Sequence, residues 1–207
     1  MASDRARLGI LISGNGTNMQ AIVAACRSGA IAGQPALILS NRAEAPGVAW
    51  AREQGLPVQV LAGSAYSDRR SYDDQLVKLL QDAGVGTVCL AGYMRLVTPV
   101  LLDAFPGNVL NIHPSLLPSF KGLDAIGQAW RHGVQVAGVT VHYVDEEMDS
   151  GPIIAQAALS VDPADTLETL TARMHQLEHR IYPGAVAAHV AGRLVIEGRR
   201  VRQIERR

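Results

Sequence analysis

Residues 8–18 read LGILISGNGTN: an apolar run, a glycine-rich turn and a polar start to a helix. Residues 8–12 predict a buried strand, and Thr17 or Asn18 can open a helix that runs to about Arg27. Glycine lets the backbone approach an anion, and the unpaired N–H groups of a helix start can donate to it. The stretch therefore predicts a strand, a phosphate-binding loop and a helix, with an ordinary tight turn as the alternative.

The same region excludes two common nucleotide-binding loops. Met19 occupies the third glycine position of a dinucleotide fingerprint, and the second predicted strand ends in Ser40-Asn41-Arg42, without an acid to bind a ribose. No Lys-Ser or Lys-Thr pair follows the glycines, as a triphosphate-binding loop requires. The loop therefore points to a phosphate, but not to NAD or ATP.

The first two thirds of the chain alternate short apolar runs with longer helical patterns. This alternation predicts parallel strands joined by right-handed crossovers. The predicted strands after the first are residues 36–39, 57–61, 87–91 and 109–112, and the predicted helices after the first are residues 45–54 and 68–83.

The pattern changes beyond residue 130. Residues 136–144 and 152–161 are extended segments on either side of an acidic loop, which predicts an antiparallel pair. A capping box at residues 165–168 opens a long helix that ends near His189, and Pro183 should kink or break it. A last small hairpin is predicted around Gly198.

Composition fits one folded domain. Of the 207 residues 48% are hydrophobic and only 4% aromatic, so the core must consist of aliphatic side chains. We predict an α/β fold with a single domain at residues 1–207. It has three layers, a central mostly parallel twisted sheet and a C-terminal antiparallel portion.

The net charge and the cysteine content restrict the expected partners and the expected cellular compartment. The 19 basic and 19 acidic residues cancel, so the chain lacks the basic footprint of a nucleic-acid-binding protein. Its polar start is unlike a signal peptide, and no apolar run is long enough to cross a bilayer. We predict a cytoplasmic protein with two buried, reduced thiols, Cys26 and Cys89, and a solvated basic tail at residues 199–207.

Asn111 and His113 are two residues apart at the end of the fifth predicted strand. Strand alternation turns both side chains to one face, at the sheet edge where open α/β folds bind ligands. A carboxamide can donate to an oxyanion, and an imidazolium can donate a hydrogen bond or a proton. The pair suits acyl-group chemistry, while a structural hydrogen-bonding role for His113 is the alternative.

The acidic loop holds Asp145, Glu146, Glu147 and Asp149, directly before Gly151-Pro152. Clusters of this kind usually face solvent, but the Gly-Pro pair argues for a shaped loop. A carboxylate from this loop beside His113 would favour the charged imidazole.

Residues 175–179, HQLEH, match a zinc-binding pattern with two histidines on one helical face. The pattern is short, and no third ligand has a distinctive spacing. We therefore predict no metal site, a substrate contact for one member and surface packing for the others.

Four segments together resemble the folate-dependent formyltransferases. They are residues 10–18 (ILISGNGTN), 90–95 (LAGYMR), 111–118 (NIHPSLLP) and 149–152 (DSGP). The third segment is typical of folate-dependent formyl transfer, and the first narrows the resemblance to the phosphoribosylglycinamide formyltransferases of purine biosynthesis. The resemblance covers about residues 8–194.

The resemblance implies direct formyl transfer from 10-formyltetrahydrofolate, as co-substrate, to the amine of glycinamide ribonucleotide, without a metal. Catalysis would rest on Asn111 for the oxyanion, His113 as protonated donor and Asp149 as its partner. The ribonucleotide would be bound by Gly16, Thr17 and Asn18 at its phosphate and by Glu178 at its ribose. The residues expected to line the folate site are Arg69, Met94, Arg95, Leu96, Val97, Asn111, Asp145, Glu146, Glu147, Met148 and Asp149.

Three alternatives compete with this interpretation. A 10-formyltetrahydrofolate hydrolase would normally carry an additional N-terminal domain, and a methionyl-tRNA formyltransferase a further C-terminal one. A non-catalytic phosphate-binding module would leave Asn111 purely structural.

The chain also departs from many relatives at Asp124 and Ile126, where they carry histidine, and at His175-Gln176. We expect small-molecule substrates and a monomer or weak homodimer.

Overall fold

A computed structural model describes residues 5–204 of the chain; the first residues of the polar start and the last three of the basic tail lie outside them. The strands are β1 (Ala6–Ile12), β2 (Gly33–Ser40), β3 (Val58–Val60), β4 (Thr87–Leu90), β5 (Val109–His113), β6 (Val136–Tyr143), β7 (Ile153–Ser160), β8 (Leu194–Glu197) and β9 (Arg200–Gln203). The α-helices are α1 (Thr17–Ser28), α2 (Pro46–Glu53), α3 (Arg69–Asp82), α4 (Pro99–Ala104), α5 (Ala125–His132) and α6 (Leu167–Val190).

The strands form one sheet in the order β3-β2-β1-β4-β5-β6-β7-β9-β8. The run from β3 to β5 is parallel, whereas β6 is antiparallel to both β5 and β7. This confirms the predicted mostly parallel sheet with a C-terminal antiparallel portion. The chain order reverses between β1 and β4, and a crevice for ligands opens at such a point beyond the carboxyl ends of the strands.

Helices cover both faces of the sheet, which gives the predicted three layers. One core cluster joins the sheet to α1, α2, α5 and α6, and a second joins the opposite face to α3 and α4. Aliphatic side chains of β1, including Ile10 and Leu11, are fully buried between these layers. Within residues 5–204, no helix combines the length and apolarity that a membrane crossing requires.

The structure corrects two local predictions and adds short elements that the sequence analysis did not predict. Helix α6 is not broken at Pro183, because the surrounding turns are packed into the core through Tyr182 and Val186. The capping box of α6 pairs Thr166 with Thr169 rather than Asp165 with Glu168. The short helices α4 and α5 and a single 3-10 turn at Gly63–Ala65 were not predicted.

Candidate active site

A stripe of polar side chains crosses the sheet on β5 and β6. The antiparallel register places Asn111 opposite His142 and His113 opposite Thr140. The apolar residues between them on both strands pack into the core under α1 and α6. Strand alternation therefore turns all four polar side chains to the other face, where they can act together.

His142 holds the carboxamide of Asn111. Asn111 Nδ2 lies 3.1 Å from His142 Nε2, and His142 Nδ1 lies 2.8 Å from the carbonyl oxygen of Tyr143. A carbonyl oxygen only accepts, so Nδ1 carries the proton and Nε2 accepts from Asn111. Burial lowers the pKa of His142, which keeps the ring in the neutral form that this bond requires. An amide nitrogen carries two N–H groups, so Asn111 keeps a second donor for an oxyanion.

The ring of His113 lies between a carbonyl and a carboxylate. Its Nε2 is 2.9 Å from the carbonyl oxygen of Phe120, and its Nδ1 is 3.4 Å from Asp149 Oδ2. Because the carbonyl only accepts, Nε2 carries a proton, and a second proton on Nδ1 would face the carboxylate. The arrangement can therefore hold an imidazolium paired with Asp149. Phe120 and Asp149 both adopt a φ of 51°, a left-handed conformation that costs energy and clusters at functional sites.

The loop that carries Asp149 is fixed from several sides. Asp149 Oδ2 accepts from the backbone N–H of Gly122 at 2.8 Å, and Lys121 Nζ lies 3.1 Å from Ser150 Oγ. Gly151 cannot carry a side chain, because a Cβ there would collide with the carbonyl of Tyr143. The carboxylate side chain of Asp149 is only 11% exposed, so it interacts with His113 where solvent screening is weak.

The proline-containing loop after His113 is anchored by the fully buried Thr140. Its hydroxyl donates to the Ser115 carbonyl at 2.7 Å and accepts from the Leu117 N–H at 3.1 Å. Gln156 Nε2 donates to the same hydroxyl oxygen and to the Leu117 carbonyl, both at 3.0 Å. The loop that supplies Phe120 is thereby tied to the antiparallel half of the sheet.

The glycine-rich loop has the geometry of an anion site. Gly16 caps α1 with a φ of 68°, and no side chain caps this helix end, so its first N–H groups point to the loop. Asn18 Nδ2 donates to Glu178 Oε2 at 2.8 Å, which joins the start of α1 to α6. Glu178 is 4% exposed, and burial raises its pKa to about 7. The structure thus brings Asn18 and Glu178 into direct contact beside Gly16 and Thr17.

The segment after β4 begins beside the end of β1, directly before the glycine loop. Met94 donates its N–H to Ser13 Oγ at 2.8 Å, so the segment is tied to the end of β1. Met94 is 58% exposed and Leu96 is 50% exposed. Val97 packs against the core on the α3 side, and the Arg95 guanidinium lies 3.9 Å from the centre of the Tyr72 ring. An apolar edge in this position can cover a flat ligand.

The remaining residues expected in the folate site are mostly exposed. Arg69 is exposed at the start of α3, one turn before Tyr72. In the acidic loop Glu146, Glu147 and Met148 are exposed, while Asp145 is half-buried. Asp145 Oδ1 is buried without a hydrogen-bond partner among the described residues, so it can accept a donor from a ligand.

The two histidines of the zinc-like pattern stack on each other. The ring centroids of His175 and His179 are 6.4 Å apart, and burial lowers the pKa of both. Across residues 5–204, no group of three or more His, Cys, Asp or Glu side chains is placed to hold a metal. Cys26 and Cys89 are buried and not joined in a disulfide, as predicted, and burial raises the pKa of their thiols to about 11 and about 12.

Two functional side chains were missed by the sequence analysis. His142 and Thr140 are polar residues two apart in the otherwise apolar strand β6, the same pattern that singled out Asn111 and His113. Applying the alternation rule to β6 would have found both. Their pairing with β5 depends on strand register, which the sequence pattern alone does not fix.

The ligand edge of this doubly wound α/β sheet carries a carboxamide donor and an imidazole–carboxylate pair, an arrangement that suits acyl- or formyl-group transfer. The sequence matches the formyl transferase family over residues 6–186, and the chain belongs to this family. It is therefore an enzyme of formyl transfer, and its family implies a folate-type formyl donor.

Individual members of the family are more informative than the family match alone. The chain is 43% identical to phosphoribosylglycinamide formyltransferase of Bacillus subtilis (strain 168), covering 87% of this chain and 92% of that protein. It is 40% identical to the protein of the same name from Escherichia coli (strain K12), covering 89% and 87%. Glycinamide ribonucleotide transformylase 1 from Symbiobacterium toebii superposes with a TM-score of 0.95 at 53% identity, covering 97% and 95%.

A formyltetrahydrofolate deformylase from Pseudomonas syringae pv. tomato shares the fold with a TM-score of 0.91. Its identity to this chain is 25%, and the match covers 98% of this chain and 67% of that protein. The amine-formylating relatives are thus considerably more similar in sequence than the deformylase.

Proposed function

We propose that the protein transfers the formyl group of 10-formyltetrahydrofolate to the amine of glycinamide ribonucleotide, in purine biosynthesis. The observation that carries the proposal is the convergence of Asn111, His113 and Asp149, linked through His142, on one face of the sheet. The names of the relatives support glycinamide ribonucleotide as the acceptor, and the family implies a folate-type donor. Their higher identity favours an amine over water as the acceptor.

Asn111 and His113 stabilise the charge that forms at the formyl group. The amine nitrogen attacks the formyl carbon, and the carbonyl oxygen becomes an oxyanion that accepts from the second N–H of Asn111. The positive charge of a protonated His113 further stabilises this oxygen, while its two N–H groups face the Phe120 carbonyl and Asp149. Since the formyl group is already activated on its carrier, no serine or cysteine nucleophile is needed, and positioning of the two substrates supplies much of the rate.

His113 and Asp149 move the proton. The attacking amine must lose a proton, and the nitrogen of the folate carrier must gain one when its bond to the formyl carbon breaks. Asp149 keeps His113 charged and helps to pass the proton between these two nitrogens, directly or through water. The number of protons is unchanged over the cycle, so no external acid or base is consumed.

The two substrates approach from opposite sides of the crevice. The N–H groups at the start of α1, with Gly16, Thr17 and Asn18, bind the phosphate of the ribonucleotide, and Glu178 binds its ribose hydroxyls. The exposed segment Met94, Arg95, Leu96 and Val97, together with Arg69 and residues 145–149, lines the folate site. The zero net charge agrees with small-molecule substrates, and we place the reaction in the cytoplasm, with a monomer or weak homodimer as the working unit.

One assay separates the candidate functions. Purified protein is given 10-formyltetrahydrofolate with and without glycinamide ribonucleotide, and release of tetrahydrofolate is followed. We expect release only when the ribonucleotide is present, together with one equivalent of formylated product. Equal release in its absence would identify a hydrolase, and no release in either mixture would identify a binding module.

A further inference from the structure

Two neighbouring residues of α3 contact the segment after β4, residues 93–98. Tyr72 is fully buried and Asp73 is 2% exposed, and both side chains reach the segment at residues 93–98. The edge of this segment carries the exposed Met94 and Leu96. Its apolar surface can bind a ligand productively only if its backbone is fixed beforehand, because ordering a loop on binding reduces affinity.

Asp73 fixes the far end of the segment. Its Oδ2 accepts from the backbone N–H of Thr98 at 2.6 Å, where the segment turns into α4. Burial raises the pKa of Asp73, so the carboxylate is costly to keep at this position, while Arg95 on the segment opposes the shift. A residue with this energetic cost is more readily explained by a required contact than by packing alone.

Tyr72 fixes the middle of the segment. Its hydroxyl lies 2.8 Å from the hydroxyl of Tyr93, and its ring lies under the guanidinium of Arg95 at 3.9 Å. The edge of Tyr66 packs against the same ring, with centroids 5.4 Å apart. A Cβ at Gly63 would collide with Arg95, so this stacked position also depends on the glycine of the 3-10 turn. A guanidinium over an aromatic face is attracted by it, most strongly where water is excluded.

We infer that Asp73 and Tyr72 are positioning residues for the formyl donor: through Thr98, Tyr93 and Arg95 they hold the segment that forms the folate side of the crevice. This inference rests on the proposed function, since it takes that segment as the donor site. The glycine loop of the other substrate is joined to α6 through Asn18 and Glu178, and its contact with the segment runs through Ser13 and Met94, at the end away from Thr98.

The test compares the Michaelis constants of the two substrates. Asp73→Ala removes the acceptor for Thr98, and we expect the KM for 10-formyltetrahydrofolate to rise about tenfold, equivalent to about 1.4 kcal/mol. The KM for the ribonucleotide and kcat should stay within about twofold. Asp73→Asn should recover most of the loss, since a carboxamide oxygen still accepts from the N–H. Asp74→Asn is the matched control, because Asp74 is the exposed neighbour on the same helix and should behave as wild type.

Tyr72→Phe keeps the ring under Arg95 and loses the contact with Tyr93, and we expect a donor KM about threefold above wild type. This variant and Asp73→Asn carry the test if Asp73→Ala fails to fold. Donor KM values unchanged in the folded variants, or rising together with those of the ribonucleotide, would overturn the inference. Tetrahydrofolate binding, measured by calorimetry, provides a readout without turnover. If the wild-type protein binds tetrahydrofolate without transferring formyl, and the variants bind it more weakly, the proposed function is refuted but the positioning role is retained.

Discussion

Replacing Glu178 by Gln should stabilise the substrate-free protein at neutral and alkaline pH. Glu178 is 4% exposed, and burial raises its pKa from 4.5 to about 7. A carboxyl group with a raised pKa binds more protons in the folded than in the unfolded chain, so folding stability falls as pH rises from about 4.5 through about 7. One pKa unit corresponds to about 1.36 kcal/mol, so the loss of folding stability approaches about 3 kcal/mol above pH 7. Gln keeps an acceptor for Asn18 but carries no charge.

The expected gain is absent near pH 4.5 and grows to an upper bound of about 3 kcal/mol at pH 8. For a chain of this length that gain corresponds to a Tm higher by roughly 6–12 °C. Thermal and urea unfolding of both proteins across this pH range measures the difference. Glu168→Gln on the same helix is the control, and the lowered pKa of Glu168 gives a pH effect of the opposite sign. A difference between Glu178→Gln and wild type that does not change with pH would refute the reasoning.

Two further substitutions test the catalytic roles. Asn111→Ala should reduce kcat about 10²–10³-fold, the usual effect of losing one oxyanion donor, while circular dichroism confirms the fold; undiminished turnover would remove the oxyanion role. Asp149→Asn should reduce kcat, because a neutral amide would replace the carboxylate that faces Nδ1 of His113 at 3.4 Å. Glu147→Gln, at an exposed position in the same loop, should reduce kcat much less, and an equal loss of kcat in both variants would contradict the pairing.

The parts of the site that depend on local periodicity could be predicted from sequence. Asn111 and His113 share a face because alternation along a strand is fixed by backbone geometry, and the glycine loop is fixed by the residues that follow β1. The same local rules predicted most strands and the longer helices. Helix α4, with six residues, is too short to show a periodic pattern. Asp124, the N-cap of α5, has a φ of 55° and makes no side-chain capping bond, which departs from the usual N-cap geometry.

The parts that depend on long-range contacts could not be predicted. The pairing of Asn111 with His142 requires the β5–β6 register, and the bond between Asp73 and Thr98 requires the packing of α3 against α4. Pro183 shows the reverse case. A local rule predicted a disturbed helix, but packing of the buried Tyr182 and its neighbours keeps α6 continuous past the missing N–H.

The two imidazoles of the stripe must have opposite charge states, and their surroundings account for the difference. The proposed chemistry requires a neutral His142, which accepts from Asn111, and a charged His113, which carries the proton. Asp149 lies near both rings, at 3.4 Å from His113 Nδ1 and 3.8 Å from His142 Nε2, so its charge alone cannot separate them. His142 is 1% exposed, and burial is the dominant influence on its pKa, which is lowered despite the carboxylate. Its bare nitrogen is also satisfied by an amide donor, whereas Nδ1 of His113 faces only an acceptor. In the proposed mechanism the carboxylate therefore faces the ring that carries the proton, while burial keeps the ring that orients Asn111 neutral.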